Sequence, residues 1–261
     1  MAATLLVELL TEELPPKSLR QLSEAFKDRL LNELVKFQLK NRAPDARAFA
    51  TPRRLAVLIP NVEERGTDRS TEVSGPAATA PEAAIAGFAR KHGVKVGELG
   101  RQQGAKGEVV VARVKIPGAV LAQVLPNLVE EALAKLPIPK VMRWGASDAQ
   151  FVRPVHGLVM LHGSKVVEGK VLGLASSGRT HGHRFMGKGE IALRGADSYE
   201  AQLRDEGMVV ASFEARKAEI EDGLKSAARK ENSSLGTHED LLDEWRNSKQ
   251  VASVAEQPHR E

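Results

Sequence analysis

The stretch that most narrows the possible folds is Thr4 to Phe37. A short aliphatic run from Thr4 to Leu10 is broken by Thr11-Glu12-Glu13-Leu14-Pro15-Pro16. The apolar residues Leu19, Leu22, Phe26, Leu30, Leu34 and Phe37 then recur at steps of three and four. A brief aliphatic run bounded by breakers reads as a buried strand, and apolar residues at helical spacing read as the covered stripe of an amphipathic helix. Thr11, Glu12 and Glu13 stand just before the helix, where their oxygens are expected to meet its unpaired N–H groups. Adjacent carboxylates on an extended segment point to opposite faces, so Glu12 and Glu13 make a poor general acid/base pair.

The same patterns continue along the chain. Ala50 to Ile59 reads as a strand entered from Pro52, with Leu55, Val57 and Ile59 on one face and Arg53 and Arg54 at its start. Those two arginines are expected either to reach a polar ligand or to be solvated or paired with acids. Residues 63–81 are rich in Gly, Pro, Ser and Thr and read as a loop. Pro81 suits the first turn of a helix through Ala89, with Gly93 placed just past its end. Gly107 to Ile116 is a second strand. Leu121 to Leu133 is a second amphipathic helix, started or kinked at Pro126. Val155 to His162 and Lys165 to Leu172 read as a hairpin turning near Gly163-Ser164. Met208 to Ala211 is expected as a strand, and Ser212 as the cap of a highly charged helix to about Lys230.

Charge is concentrated in one segment. Lys135 to Lys188 holds nine Lys or Arg against two acids, Asp148 and Glu168, a net of +7, whereas the whole chain is +4, which leaves −3 for the remainder. Within it, Leu136-Pro137-Ile138-Pro139 forces an extended arm that presents Lys140, Arg143 and Trp144 in a fixed direction. Residues 177–189 form a basic Gly-rich loop with Arg179, His181, His183 and Arg184, anchored by Phe185 and Met186. Concentrated positive charge with planar Arg forks and a nearby aromatic suits an anionic backbone with unpaired bases. The same residues equally suit a structural or subunit-contact role.

Several kinds of chemistry are absent from the pattern. There is no cysteine, which excludes disulfides, thiolate zinc sites and a thiol nucleophile. No phosphate loop, no G-x-G-x-x-G after a strand and no G-x-S-x-G elbow is present. His156, His181 and His183 are candidate metal ligands for a small hydrolase or metal enzyme. However, no H-E-x-x-H helix accompanies them, and cationic surroundings disfavour a divalent ion. The N-terminus lacks a basic region before its apolar run, so neither a signal peptide nor a membrane span is expected, and a soluble cytoplasmic protein is.

Five blocks occur in one order: LVELLTEELPPKSLRQL at Leu6–Leu22, ATPRRLAVLI at Ala50–Ile59, KLPIPKVMRWG at Lys135–Gly145, FVRPVH at Phe151–His156 and GHRFMG at Gly182–Gly187. Together they resemble the N-terminal part of the beta subunit of bacterial glycyl-tRNA synthetase, the tetrameric type with separate alpha and beta chains. The resemblance spans about Leu5 to Glu244. It implies a role in ATP-dependent charging of tRNA(Gly) with glycine. It also implies an alpha-subunit partner in an alpha2beta2 assembly, with ATP and Mg2+ used at the alpha subunit. No cofactor is then held by this chain, and no catalytic residue is assigned to it. Family members continue into an HD-type helical domain and an anticodon-binding domain. After Leu241-Leu242-Asp243-Glu244 the chain departs from the family pattern with Trp245-Arg246-Asn247-Ser248, as a truncated or frameshifted gene would produce.

The expected architecture is α+β: mixed or antiparallel sheets with amphipathic helices, ending in a charged helix and a loose tail. Residues 1–195 form an α/β N-terminal region with an internal break near 60–81 or 117–150. Residues 196–244 form a helical linking region, and 245–261 a divergent, disordered tail. The residues expected to contact RNA or a partner are Arg53, Arg54, Lys140, Arg143, Trp144, Arg153, His156, Arg179, His181, His183 and Arg184. A free-standing basic RNA-binding module is the alternative reading.

Overall fold

The structure, a computed structural model, describes residues 1–41, 45–104, 107–138, 140–145 and 148–231. The expected tail at 245–261 and Pro139 of the arm lie outside the described residues.

In chain order the elements are β1 (Ala3–Thr11), α1 (Leu19–Lys36), β2 (Arg47–Thr51), β3 (Arg54–Val62), β4 (Arg69–Ala77), α2 (Glu82–Lys91), β5 (Gly100–Gly104), β6 (Gly107–Ile116) and α3 (Leu121–Ala134). Short strands follow: β7 (Met142–Arg143), β8 (Gln150–Phe151), the longer β9 (Val155–His162), β10 (Lys165–Val166), β11 (Lys170–Val171), β12 (Leu174–Ala175), β13 (Arg179–His181) and β14 (Glu190–Ala192). Helices α4 (Tyr199–Asp205) and α5 (Phe213–Lys230) close the described chain. The class is α+β with antiparallel sheets, as the periodicities imply. The chain divides into one unit made of Met1–Glu64 with the residues from Val120 on, and a second made of Arg65–Ala119.

The first unit is built on a five-stranded antiparallel sheet ordered β10-β9-β1-β3-β2. The period of two along β1 puts Leu5, Val7 and Leu9 on one face, in register with Leu55, Val57 and Ile59 of β3. The apolar stripes of α1 (Leu19, Leu22, Phe26, Leu30, Leu34) and α3 (Leu121, Leu125, Leu128, Val129, Ala132, Leu133) share one core with that face. Each buried aliphatic side chain contributes about 1.5–3 kcal/mol, so this face carries most of the unit's hydrophobic stabilisation. The opposite face, Leu6, Phe49, Ala56, Val159 and Leu161, is covered by Ile191, Ala196, Tyr199, Leu203, Val209 and Ala211. Helix α3 runs through Pro126, whose missing N–H lies near its first turns.

Several local expectations change. Residues 69–77, expected within a loop, form β4 because they pair with β6, and the strand expected over Lys165–Leu172 is split into β10, which pairs with β9, and β11, which pairs with β12. Glu12 and Glu13 do not cap the helix: no side chain caps α1 or the 3-10 turn Pro16–Ser18 before it. Both carboxylates lie near Arg53 instead, and the buried Thr11 hydroxyl has no hydrogen-bond partner among the described residues. Met208 to Ala211 is irregular, not a strand, because Val209 and Ala211 are drawn into the second core while Met208 takes φ +52. Ser212 does cap α5, its Oγ accepting from the Ala215 N–H at 3.3 Å.

The second unit is a three-stranded antiparallel sheet ordered β4-β6-β5 with α2. Gly93, at φ +65, ends the helix as its position suggests. The Phe88 ring fits against Gly75, where a Cβ would come within 2.7 Å of it. The ends of the unit are tied together by Gly66 N–H to the Ala119 carbonyl and by Gly118 N–H to Asp68 Oδ1, both at 2.8 Å.

Candidate recognition surface

Strands β1, β3 and β9 meet at one end of the main sheet, where Leu10 pairs with Arg54 and Thr11 with Val155. The register of β9 slips between Gly157 and Val155, and His156 sits exposed at that irregularity. Backbone bonds fasten the adjoining segments here: Glu12 N–H to the Pro154 carbonyl at 2.9 Å, Thr11 N–H to Arg53 at 3.0 Å and Leu14 N–H to Pro52 at 2.6 Å. The end of β1, the start of β3 and the segment before β9 thus form one small framework for the basic residues.

On one side of it, Arg53 pairs with Glu13 at 3.2 Å and lies 3.8 Å from Glu12. Arg153 donates from Nε to the Glu13 carbonyl at 2.9 Å, and its Nη1 lies 3.2 Å from the Met142 sulfur. Met142 opens a two-residue ladder in which Met142 faces Phe151 and Arg143 faces Gln150. The arm therefore presents Lys140 and Arg143 to solvent, and Arg143 stands 3.5 Å from the exposed Asp148. Trp144 is half-buried and packs against the main core, as do Leu136 and Ile138 of the arm. Part of the ring is therefore committed to the core.

On the other side, Arg54 is not a surface residue. At 3% exposed it lies inside the second core, and its Nε donates to Glu8 Oε2 at 2.8 Å. Its Nη2 donates to Thr180 Oγ1 at 3.3 Å and to the His181 carbonyl. The Thr180 and Tyr199 hydroxyls both donate to the Glu8 carboxylate. Burial is the largest single influence on Arg54 and would lower its pKa, but the charge of Glu8, the Tyr199 hydroxyl and the hydrogen bond to Glu8 together outweigh it, and the guanidinium sits above its ordinary value. Burial first, then the Glu8 charge, pushes the Tyr199 hydroxyl well above its ordinary value, so it stays a donor. The guanidinium that the sequence offers to a ligand instead fixes the base of the loop bearing His181. The interior charge of Glu8 and the distant Tyr199 are the residues that sequence reasoning missed. The only sequence sign was a glutamate interrupting an aliphatic strand.

The loop beyond β13 is tightly held. His183 N–H donates to the Gly207 carbonyl at 2.7 Å and Lys188 N–H to the Glu206 carbonyl at 2.8 Å. Gly182 and Gly187 press against the Gly207 backbone, where a Cβ would lie within 2.7 and 2.2 Å of it. His181 Nδ1 lies 2.9 Å from the Gly189 carbonyl. The His183 Nδ1 faces the amides of Phe185 at 3.3 Å and Met186 at 3.2 Å, so it accepts, and the neutral ring carries its proton on Nε2. Burial holds the His183 pKa below its ordinary value, in agreement with that tautomer. Among the described residues no group of three or more His, Asp or Glu is placed to hold a metal ion, and the accepting role of His183 leaves its Nδ1 unavailable as a ligand.

Pairing trims the segment's charge. Lys135 reaches Glu33 and Glu131, Arg143 Asp148, Arg179 Glu190 and Lys188 Glu206. Lys140, Arg153, Lys165, Lys170 and Arg184 form no ion pair among the described residues. Of these, Lys140, Arg153 and Arg184 belong to the two sides of the framework. These side chains leave positive charge that no acid among the described residues neutralises. Among the described residues no helix is long and apolar enough to cross a membrane.

The profile of the glycyl-tRNA synthetase beta subunit matches residues 5–259, past Glu244 where the motif resemblance was expected to end. The chain belongs to that family. It is 47% identical over 250 residues to a glycine–tRNA ligase beta subunit of Neisseria meningitidis serogroup C, covering 94% of this chain and 36% of the relative. It is 44% identical over 266 residues to that of Aromatoleum aromaticum (98% and 37%), and 41% over 261 residues to that of Psychromonas ingrahamii (97% and 37%). The chain spans a little over a third of the length of these curated relatives.

Proposed function

We propose that this chain corresponds to the N-terminal part of a glycyl-tRNA synthetase beta subunit. In the cytoplasm it supports ATP-dependent attachment of glycine to tRNA(Gly) through contacts with tRNA and the alpha subunit. In this reading glycine activation occurs on the alpha subunit of an alpha2beta2 enzyme, where ATP and Mg2+ are used. The beta chain holds the nucleic acid in place through Lys140, Arg143, Arg153 and Arg184. The observation that carries the reading is the family match over residues 5–259, in a chain that leaves Lys140, Arg153 and Arg184 without an ion pair among the described residues. The sequence contains no nucleotide-binding fingerprint, which favours a division of labour over a complete enzyme.

The test is aminoacylation of tRNA(Gly) by purified alpha chain alone, with this polypeptide, and with a full-length beta chain, alongside capture of alpha chain by this polypeptide. Capture of the alpha chain is expected, with no charging by this polypeptide alone. Glycine charging without any alpha chain would contradict the division of labour, and failure to capture it would favour the free-standing RNA-binding module.

A further inference from the structure

Phe185 and Met186, whose types suit them to anchor the loop in the core, do the reverse. Phe185 is 86% exposed and Met186 54%. A solvated phenylalanine on a slack loop would need no explanation, but this loop is held from three directions. Its entry is pinned by Arg54 through the His181 carbonyl. Its two sides are bonded to Glu206 and Gly207 through the Lys188 and His183 amides. Its turn is closed by His183 Nδ1 accepting from the two amides that bear the exposed side chains. The His183 ring meets the Phe185 ring edge-on, centroids 6.2 Å apart at 61°. The fold therefore spends a buried ion pair and three close glycines on holding an aromatic ring out in water.

Its surroundings indicate the occupant. From Arg179 to Gly189 the loop has no acidic residue. The adjacent Arg184 is exposed and forms no ion pair or hydrogen bond among the described residues, while Glu190 and Glu206 nearby are engaged by Arg179 and Lys188. A rigid ring beside an uncommitted guanidinium matches a nucleotide, the base stacking on the ring and the phosphate meeting the cation. We propose that Phe185 is a stacking platform for an unpaired base of RNA, with Arg184 on the neighbouring phosphate. This rests on the reading of the chain as a tRNA-contacting subunit, and assigns the aromatic contact to Phe185 and not to Trp144.

The test uses the full chain as wild type, Phe185→Ala, Phe185→Trp and Arg184→Ala. Its probes are tRNA(Gly) and a single-stranded oligoribonucleotide containing 2-aminopurine, whose fluorescence is quenched on stacking. Because Phe185 is exposed, the circular dichroism spectrum of Phe185→Ala should match wild type. Phe185→Ala is expected to weaken RNA binding roughly tenfold and abolish the quenching with an unchanged salt dependence, and Phe185→Trp to restore both. Arg184→Ala should flatten the salt dependence. If wild type binds RNA and Phe185→Ala binds equally well, the stacking role is overturned and the tRNA reading survives. If wild type binds no RNA, the tRNA reading fails and takes this one with it. Loss of alpha-chain capture by Phe185→Ala, with RNA binding intact, would reassign the ring to a protein partner and overturn the proposal.

Discussion

Glu8 and Arg54 are a charged pair in the middle of an otherwise apolar layer, at 0% and 3% exposure. Such a pair is a weak source of net stability, because removing both charges from water offsets most of their attraction, but breaking it is costly. Arg54→Met strands the Glu8 carboxylate with only the Thr180 and Tyr199 hydroxyls, and is expected to lower the unfolding free energy by about 3–5 kcal/mol in urea titrations. A Glu8→Leu, Arg54→Met double variant should recover much of that loss; equal stability of the single variant and wild type would contradict the network. His183 supplies a second residue-scale prediction. Burial depresses its folded pKa below the ordinary 6.5, so the neutral ring's contribution is fully present above that value and is lost as pH falls through the folded one. The Phe185 and Met186 amides, which donate to that ring, should lose protection from hydrogen exchange on acidification from about pH 8 to about pH 5. Protection unchanged across that range would show that the ring does not close the turn.

Among the elements, the glycine clamp decides whether the loop is a presented surface or a loose connection. A Cβ at Gly187 would come within 2.2 Å of the Gly207 carbonyl oxygen, and backbone on both sides cannot yield as a flexible side chain would. Gly187→Ala is therefore expected to detach the loop and speed exchange of the His183 and Lys188 amides, leaving the protection of β1 and β9 intact. Unaltered exchange at those two amides would refute the clamp. This level also shows what the sequence made legible. The strand β1, the stripes of α1 and α3, the Gly163 turn and the Ser212 cap all follow from local periodicity and capping chemistry, and the structure has each of them. Whether a polar residue faces in or out depends on partners far away in sequence. Arg54 and Glu8 are 46 residues apart, and Tyr199 is 191 from Glu8. Arg216 reads as one charge among many on α5, yet it is fully buried, donating to the Val210, Ala211 and Ala50 carbonyls. Phe185, expected as an anchor, is exposed, and Trp144 packs half-buried against the core, because local composition marks an aromatic beside cations but not which ring the core takes.

For the whole molecule, a layered α+β unit carries the basic surface proposed to meet RNA. The +7 of the central segment overstated that surface, because acids elsewhere in the fold answer Lys135, Arg179 and Lys188. Arg184 has no ion pair among the described residues and Arg143 meets only the exposed Asp148, and this makes their contribution countable. Each phosphate contact releases counterions and adds about 0.7–0.9 to the slope of log affinity against log salt. The most direct measurement is tRNA(Gly) binding across about 50–200 mM salt by wild type and by the Arg143→Glu, Arg184→Glu double variant. The account predicts binding by wild type that falls steeply with salt, and a double variant at least about tenfold weaker with a shallower slope. Equal affinity and equal slope for the two proteins would contradict it.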